Sequence, residues 1–178
     1  FELKKTLEKN LKKKTINIEK KLYEQSVFNE RIPLSIFEHP NEGSIYVANI
    51  IADIISKKQE IGEKCVLGLA TGSSPITIYS ELVRLHKEEN LSFKNVITFN
   101  LDEYWPINKN SRHSYNKFMF DHLFNHVDID HKNINIPNGN VSSNKLEEYC
   151  LKYEKKIKNC GGIDLQLLGI GRNGHIGF

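Results

Sequence analysis

Cys65-Val-Leu-Gly-Leu-Ala-Thr-Gly-Ser-Ser-Pro75 reads as a buried strand that breaks into a turn and enters a helix. Residues 65–70 are an unbroken apolar run, too short for a helix and typical of a strand covered on both faces. Thr71-Gly-Ser-Ser is turn chemistry, and Pro75 suits the first helical position, where no amide hydrogen is needed. The helix then runs to about residue 89, with Ile78, Leu82 and Leu85 on one face.

The same alternation continues outward from this unit. Upstream, Ile45, Ala48, Ile51, Ala52 and Ile55 fall at helical spacing within 44–58. Downstream come a strand at 96–101, a helix at 114–124, a short strand at 133–137 and a helix at 145–159 ended by Gly161-Gly162. An apolar strand follows at 163–170. Residues 32–38 read as a further short strand, with Pro33 at its start or on an edge. Residues 3–25 read as a weakly amphipathic helix. Alternating strand and helix predict an α/β fold: a mainly parallel, doubly wound, Rossmann-like sheet with helices on both faces. The expected organisation is a basic helical extension over 1–31 and one α/β domain over 32–178.

Composition narrows the function classes. The chain has 178 residues, 39% hydrophobic and 26% charged, as expected of an ordinary globular domain. No apolar run approaches the roughly 20 residues of a membrane span, and no apolar stretch follows the lysine-rich start as in a secretory signal. The net charge of +3 is uneven: residues 1–25 carry eight Lys and four Glu, while the rest has 17 basic and 18 acidic residues. That leading run lacks Arg and is interrupted by Glu, so it reads as a solvated helix, with neither nucleic acid nor membrane as a partner. Three cysteines without a CxxC pair fit neither a disulfide framework nor a zinc site, and a cytoplasmic location is the simplest expectation. Cys65 belongs to the core.

In parallel sheets ligands bind beyond the carboxyl ends of the strands. Three chemically unusual loops occupy that position: 71–75, 102–106 and 171–177. In the first, Thr71, Gly72, Ser73 and Ser74 offer hydroxyls, close backbone approach and a helix N-terminus to an anion. The stretch lacks the Gly-Lys-Ser/Thr ending of a nucleotide loop, so a monophosphate fits better. A plain strand–helix turn with a serine cap is the bland alternative. In the second loop, Asp102 and Glu103 are neighbours in extended chain and face opposite ways. One is expected in the cleft, as a candidate general base, and the other in structural contacts. The third loop contains Gly169-Ile-Gly-Arg-Asn-Gly174, which matches a dinucleotide fingerprint. Gly177 is a poor helix start, however, and the glycines more plausibly shape a turn presenting His175, whose imidazole moves protons near neutral pH. His122 and His126 share i, i+4 spacing but lack a third ligand. His113 lies beside the Asp102 loop as a possible cleft residue, while His39, His86 and His131 are expected at the surface.

Taken together, residues 67–75, Val-Ile-Thr-Phe-Asn-Leu-Asp-Glu-Tyr (96–104) and Leu-Gly-Ile-Gly-Arg-Asn-Gly-His-Ile-Gly-Phe (168–178) resemble the glucosamine-6-phosphate deaminases, in order and spacing. Residues 92–96 and 121–129 are also similar, and the resemblance covers roughly 32–178. It implies hydrolytic conversion of glucosamine 6-phosphate to fructose 6-phosphate and ammonia. It further implies Asp102 as the base taking the proton from C2, His175 as the group assisting ring opening, and the 71–74 loop as a phosphate site. A small sugar phosphate is the implied partner, with no metal and no organic cofactor. A homo-oligomer of the complete protein is left open.

Asn173 stands where many members have Asp. It offers His175 a hydrogen bond but no charge. The family motif continues beyond Phe178 with Asn-Glu-Pro, whose Glu takes part in ring opening, and later basic residues clamp the phosphate. The 178-residue piece is therefore expected to be inactive, to expose an apolar strand at 163–170 and to aggregate. Two alternatives remain beside the deaminase: another sugar-phosphate enzyme of this fold, such as a 6-phosphogluconolactonase or ribose-5-phosphate isomerase, and a non-catalytic sugar-phosphate sensor.

Overall fold

The computed structural model describes residues 32–177. Residues 32–38 belong to one unit and residues from His39 onward to another, and each is taken by itself. The expected helix at 3–25 lies outside the described residues.

Four parallel strands form the sheet: β1 (Cys65–Leu69), β2 (Val96–Asn100), β3 (Ile134–Asn135) and β4 (Leu165–Gln166), in the order β3-β2-β1-β4. The helices are α1 (Pro40–Glu60), α2 (Ser73–Glu89), α3 (Tyr115–His122) and α4 (Leu146–Asn159), with short 3₁₀ turns at Phe124–His126, His131–Asn133 and Ser143–Lys145. The register pairs Cys65 with Val96 and Leu69 with Asn100 on one side of β1, and Leu67 with Leu165 on the other.

Side-chain alternation along the strands divides the helices between two faces. Cys65, Leu67, Leu69 and Val96 meet Ala48, Ile51 and Ile55 of α1, Tyr79 and Leu82 of α2 and Met119 of α3, all essentially buried. On the opposite face Phe99 packs edge-on against Tyr153 of α4, ring centroids 5.7 Å apart. The Tyr153 hydroxyl donates to the carbonyls of Asn100 and Asn135, 2.9 and 3.0 Å away, pinning α4 across β2 and β3. The doubly wound parallel sheet expected from the sequence is the observed fold.

Chain order places the cleft. From β1 the chain winds outward to β2 and β3, then crosses back to β4 on β1's other side. Strand order therefore reverses at β1, and connections leaving β1 and β4 diverge there, opening a crevice at their carboxyl ends.

Three elements differ from their expected form. Residues 33–37 carry no strand; Pro33 lacks the amide that a ladder needs. The run at 163–170 is a strand only at Leu165–Gln166, because its pairing with β1 spans two residues and glycines at 169 and 171 weaken extension past them. The expected helix at 114–124 ends at His122, where Leu123 leaves helical geometry and a 3₁₀ turn follows. Smaller shifts occur at 133–137, which is a strand only at Ile134–Asn135, and at α2, which begins at Ser73 and so puts Pro75 third. Pro75 is still in the first turn, where its missing amide costs no intrahelical bond.

Candidate functional site

The loop after β1 is built for close approach. Gly72 has φ of +120°, a conformation that side-chain-bearing residues rarely adopt, and it turns the chain directly into α2. No side chain caps that helix end. Among the described residues no side chain accepts from the first-turn amides, and the helix dipole adds partial positive charge. The serine-capped alternative is excluded, since the capping position is Gly72. Tyr79, one turn and a half into α2, donates its buried hydroxyl to the Ala70 carbonyl at 2.5 Å and fixes the strand end behind Thr71.

The two neighbouring carboxylates separate as extended geometry requires. Glu103 turns away and caps α3: it accepts from the Ser114 hydroxyl at 2.7 Å and from the amides of Tyr115 and Asn116, each at 2.9 Å. Asp102 lines the cleft. Burial, with the Glu103 charge beside it, raises its carboxyl above the usual range and makes its ionised form a stronger base.

The last loop folds as a turn. The Gly171 amide donates to the His175 carbonyl and the Gly174 amide to the Gly171 carbonyl, both at 2.9 Å. The His175 ring lies so close over Gly171 that a β-carbon there would stand 2.2 Å from its Cε1 and would push the ring aside. Asn173 Oδ1 meets His175 Nδ1 in a short hydrogen bond. With an amide oxygen as partner, Nδ1 must donate, which leaves Nε2 as the acceptor of the neutral ring.

One cavity of about 220 Å³ collects Thr71, Gly72, Ser73, Ser74, Asp102 and His175. Asn173 stands outside its lining and reaches it through His175. Six of the seven expected site residues, from three loops 30 to 100 positions apart, thus share one cleft at the strand ends. Among the described residues that line it there is no Lys or Arg. Tyr115 lines it too, and sequence reasoning missed it: the only cue was its place just after a helix-capping serine.

Other expectations resolve differently. His113 is exposed, accepts from Arg112 and is not among the cavity residues. His86 is half-buried rather than on the surface, its Nδ1 2.6 Å from the Leu91 carbonyl. His122 stacks on Phe118 and His126 bonds the Asp121 carbonyl, so their shared spacing serves packing. Among the described residues no cluster of three His, Cys, Asp or Glu could hold a metal, and no helix is long and apolar enough to cross a membrane. Cys65 is buried in the core, as expected.

Comparison with known proteins agrees with this geometry. The family model for glucosamine-6-phosphate isomerases/6-phosphogluconolactonase matches residues 38–177. A glucosamine-6-phosphate deaminase of Clostridium botulinum (strain Langeland) is 50% identical over 127 residues, covering 71% of this chain and 51% of that protein. A glucosamine-6-phosphate deaminase-like protein of Bacteroides thetaiotaomicron is 48% identical over 158 residues, 88% of this chain and 24% of that protein. Among solved structures, a monomeric glucosamine-6-phosphate deaminase superposes with a TM-score of 0.77 at 44% identity, over 83% of this chain and 58% of that one. A 6-phosphogluconolactonase from Thermotoga maritima gives 0.63 at 25% identity, over 75% and 58%. The chain spans about half the length of the clostridial relative it matches. By its matched residues, its sheet and the three loops that form its cleft, this chain belongs to the glucosamine-6-phosphate isomerase/6-phosphogluconolactonase family.

Proposed function

We propose that this chain carries the base, the ring-opening histidine and the phosphate loop of a glucosamine-6-phosphate deaminase, acting in amino-sugar breakdown in the cytoplasm. The observation that supports this most is the sharing of one cleft by Asp102, His175 and the Thr71–Ser74 loop.

A 6-phosphate on the free amides and hydroxyls of residues 71–74 anchors the sugar at its far end. His175 Nε2, held as acceptor by Asn173, takes the C1 hydroxyl proton and delivers it to the ring oxygen as the C1–ring oxygen bond breaks, which opens the pyranose to the aldehyde. The Asp102 carboxylate then removes the C2 proton. The electron pair forms the C1–C2 double bond of an enolamine, and protonation at C1 yields a C2 imine. Water adds at C2 and the carbon–nitrogen bond breaks, leaving fructose 6-phosphate and ammonia. The oxidation of C2 balances the reduction of C1 within the sugar, and one water replaces the nitrogen by oxygen, so the reaction consumes water and needs no external oxidant or reductant. Residues 32–178 form the proposed catalytic domain, of which 38–177 match the family model, with 1–31 as an extension to it.

Solvent exchange tests the base directly. Glucosamine 6-phosphate carrying deuterium at C2 should lose it to water with the complete gene product, and not with Asp102→Asn. Exchange that survives the substitution would remove Asp102 from this role. Lactone hydrolysis is the second reading, supported by the likeness to the Thermotoga lactonase. It predicts turnover of 6-phosphogluconolactone with no exchange at C2.

A further inference from the structure

Asp102 lines two cavities, the cleft and a second one of about 500 Å³ that Glu103, Pro137 and Tyr149 line with it. With open space on both, the place of its carboxylate depends less on packing than on how the chain is held on either side. Before it, the end of β2 is fixed: the Leu101 amide donates to the Leu69 carbonyl at 3.0 Å, and the Asn100 carbonyl accepts from Tyr153. After it, Glu103 is fixed to α3 by its side chain, and residues 104–107 follow without regular structure.

That stretch is latched to the loop after β3. The Trp105 indole Nε1–H donates to the Val141 carbonyl at 2.7 Å, and the Ile107 amide to the Gly139 carbonyl at 2.9 Å. The loop is in turn tied to α4, since the Asn138 amide donates to the Tyr149 hydroxyl at 2.8 Å. The fit is close. A β-carbon at Gly139 would stand 2.6 Å from the Tyr104 carbonyl oxygen and 2.8 Å from that of Ile107, backbone atoms that cannot swing aside. None of these residues is among those lining the cleft, and the reaction above gives them no task. We infer that Trp105 is a positioning residue: its bond to the loop after β3, with Tyr149 behind that loop, fixes the chain that leaves Asp102 and so sets where the carboxylate stands in the cleft. That the carboxylate so placed is the base rests on the deaminase reading above; the latch itself does not. Misplacement of about an ångström is enough to cost a large share of turnover.

Two variants of the complete gene product test it from opposite directions. Trp105→Phe removes the indole donor and keeps an aromatic ring, while Gly139→Ala keeps every donor and acceptor but forces the two backbones apart. Crystal structures of both should show Asp102 displaced by about 0.5 Å or more, with residues 71–74 in place. In both, kcat for glucosamine 6-phosphate should fall about 10-fold with KM held within about twofold, the pattern of a misplaced reacting group rather than of lost binding. Tyr149→Phe acts through the same loop, so combined with Trp105→Phe it should lose less than the product of the separate losses. Asp128→Asn is the control: it loosens the Phe93 amide, held at 2.6 Å away from the cleft, and should lower the melting temperature without lowering kcat. Asp102 unmoved in both variants, unchanged kcat in both, or the same loss of kcat in Asp128→Asn would each overturn the inference. Displacement of Asp102 in both variants of a protein whose wild type releases no ammonia would instead leave this inference standing and refute the deaminase reading.

Discussion

The burial that suits Asp102 to the proposed base role costs stability. Its carboxyl is raised by burial and by Glu103, so the folded chain binds a proton there more readily than the unfolded chain does. The sign follows: folding is penalised once pH exceeds the raised value, and the penalty fades as pH falls below it. Asp102→Asn should therefore lower turnover about 100-fold or more while holding or raising the melting temperature at neutral pH. Calorimetry beside the activity assay checks both, and a clear drop in melting temperature would show the carboxylate to be structural. The acid limb of kcat/KM should lie above the ordinary carboxylate value of about 4. His175 depends on a neutral partner. Asn173→Ala should leave the ring free to turn and lower turnover about 10-fold with sugar-phosphate affinity kept, as measured by kcat against KM. Asp102 and His175 were legible because strand ends and glycine turns mark where a chain displays side chains. Tyr115 was not, since it shares the cleft lining with Thr71 from 44 positions away, and no local pattern encodes that.

At the scale of elements, α3 exists where it does because of Glu103. Its eight residues are too few to be stable alone, and the Glu103 carboxylate satisfies the amides of Tyr115 and Asn116 as well as the Ser114 hydroxyl. Glu103→Ala should cost about 2 kcal/mol in denaturant unfolding, the scale of lost charge-assisted hydrogen bonds, and should move Tyr115. An unchanged unfolding midpoint would contradict this account of α3. The long helices α1, α2 and α4 were legible because their period repeats over 14 to 21 residues. Strand limits were poorly legible. An apolar run shows that a strand is buried but not how far its neighbour accompanies it, which is why 163–170 shrank to two paired residues. Residues 32–38 fail as a strand for a related reason: extended propensity without a ladder leaves only a connecting segment.

At the scale of the molecule, the sheet places three loops around one cleft whose lining, among the described residues, holds no Lys or Arg. A phosphate dianion there would rest on amides, hydroxyls and a helix dipole, each modest in water. The clostridial relative is matched over 51% of its own length. We predict that residues 1–178 alone release no ammonia. With Leu168 47% and Ile170 77% exposed beyond the open side of β4, they should also aggregate. Light scattering on the isolated piece tests the second point, and a soluble, cooperatively unfolding monomer would refute it.

On the proposed reading, three loops at the sheet's carboxyl edge deaminate an anchored amino sugar. Ammonia release from glucosamine 6-phosphate tests it most directly, with the complete gene product measured beside its Asp102→Asn variant. The account predicts steady release by the former and a loss of about 100-fold or more in the latter, with sugar-phosphate binding largely kept. No release by the complete protein, or equal release by both, would contradict it.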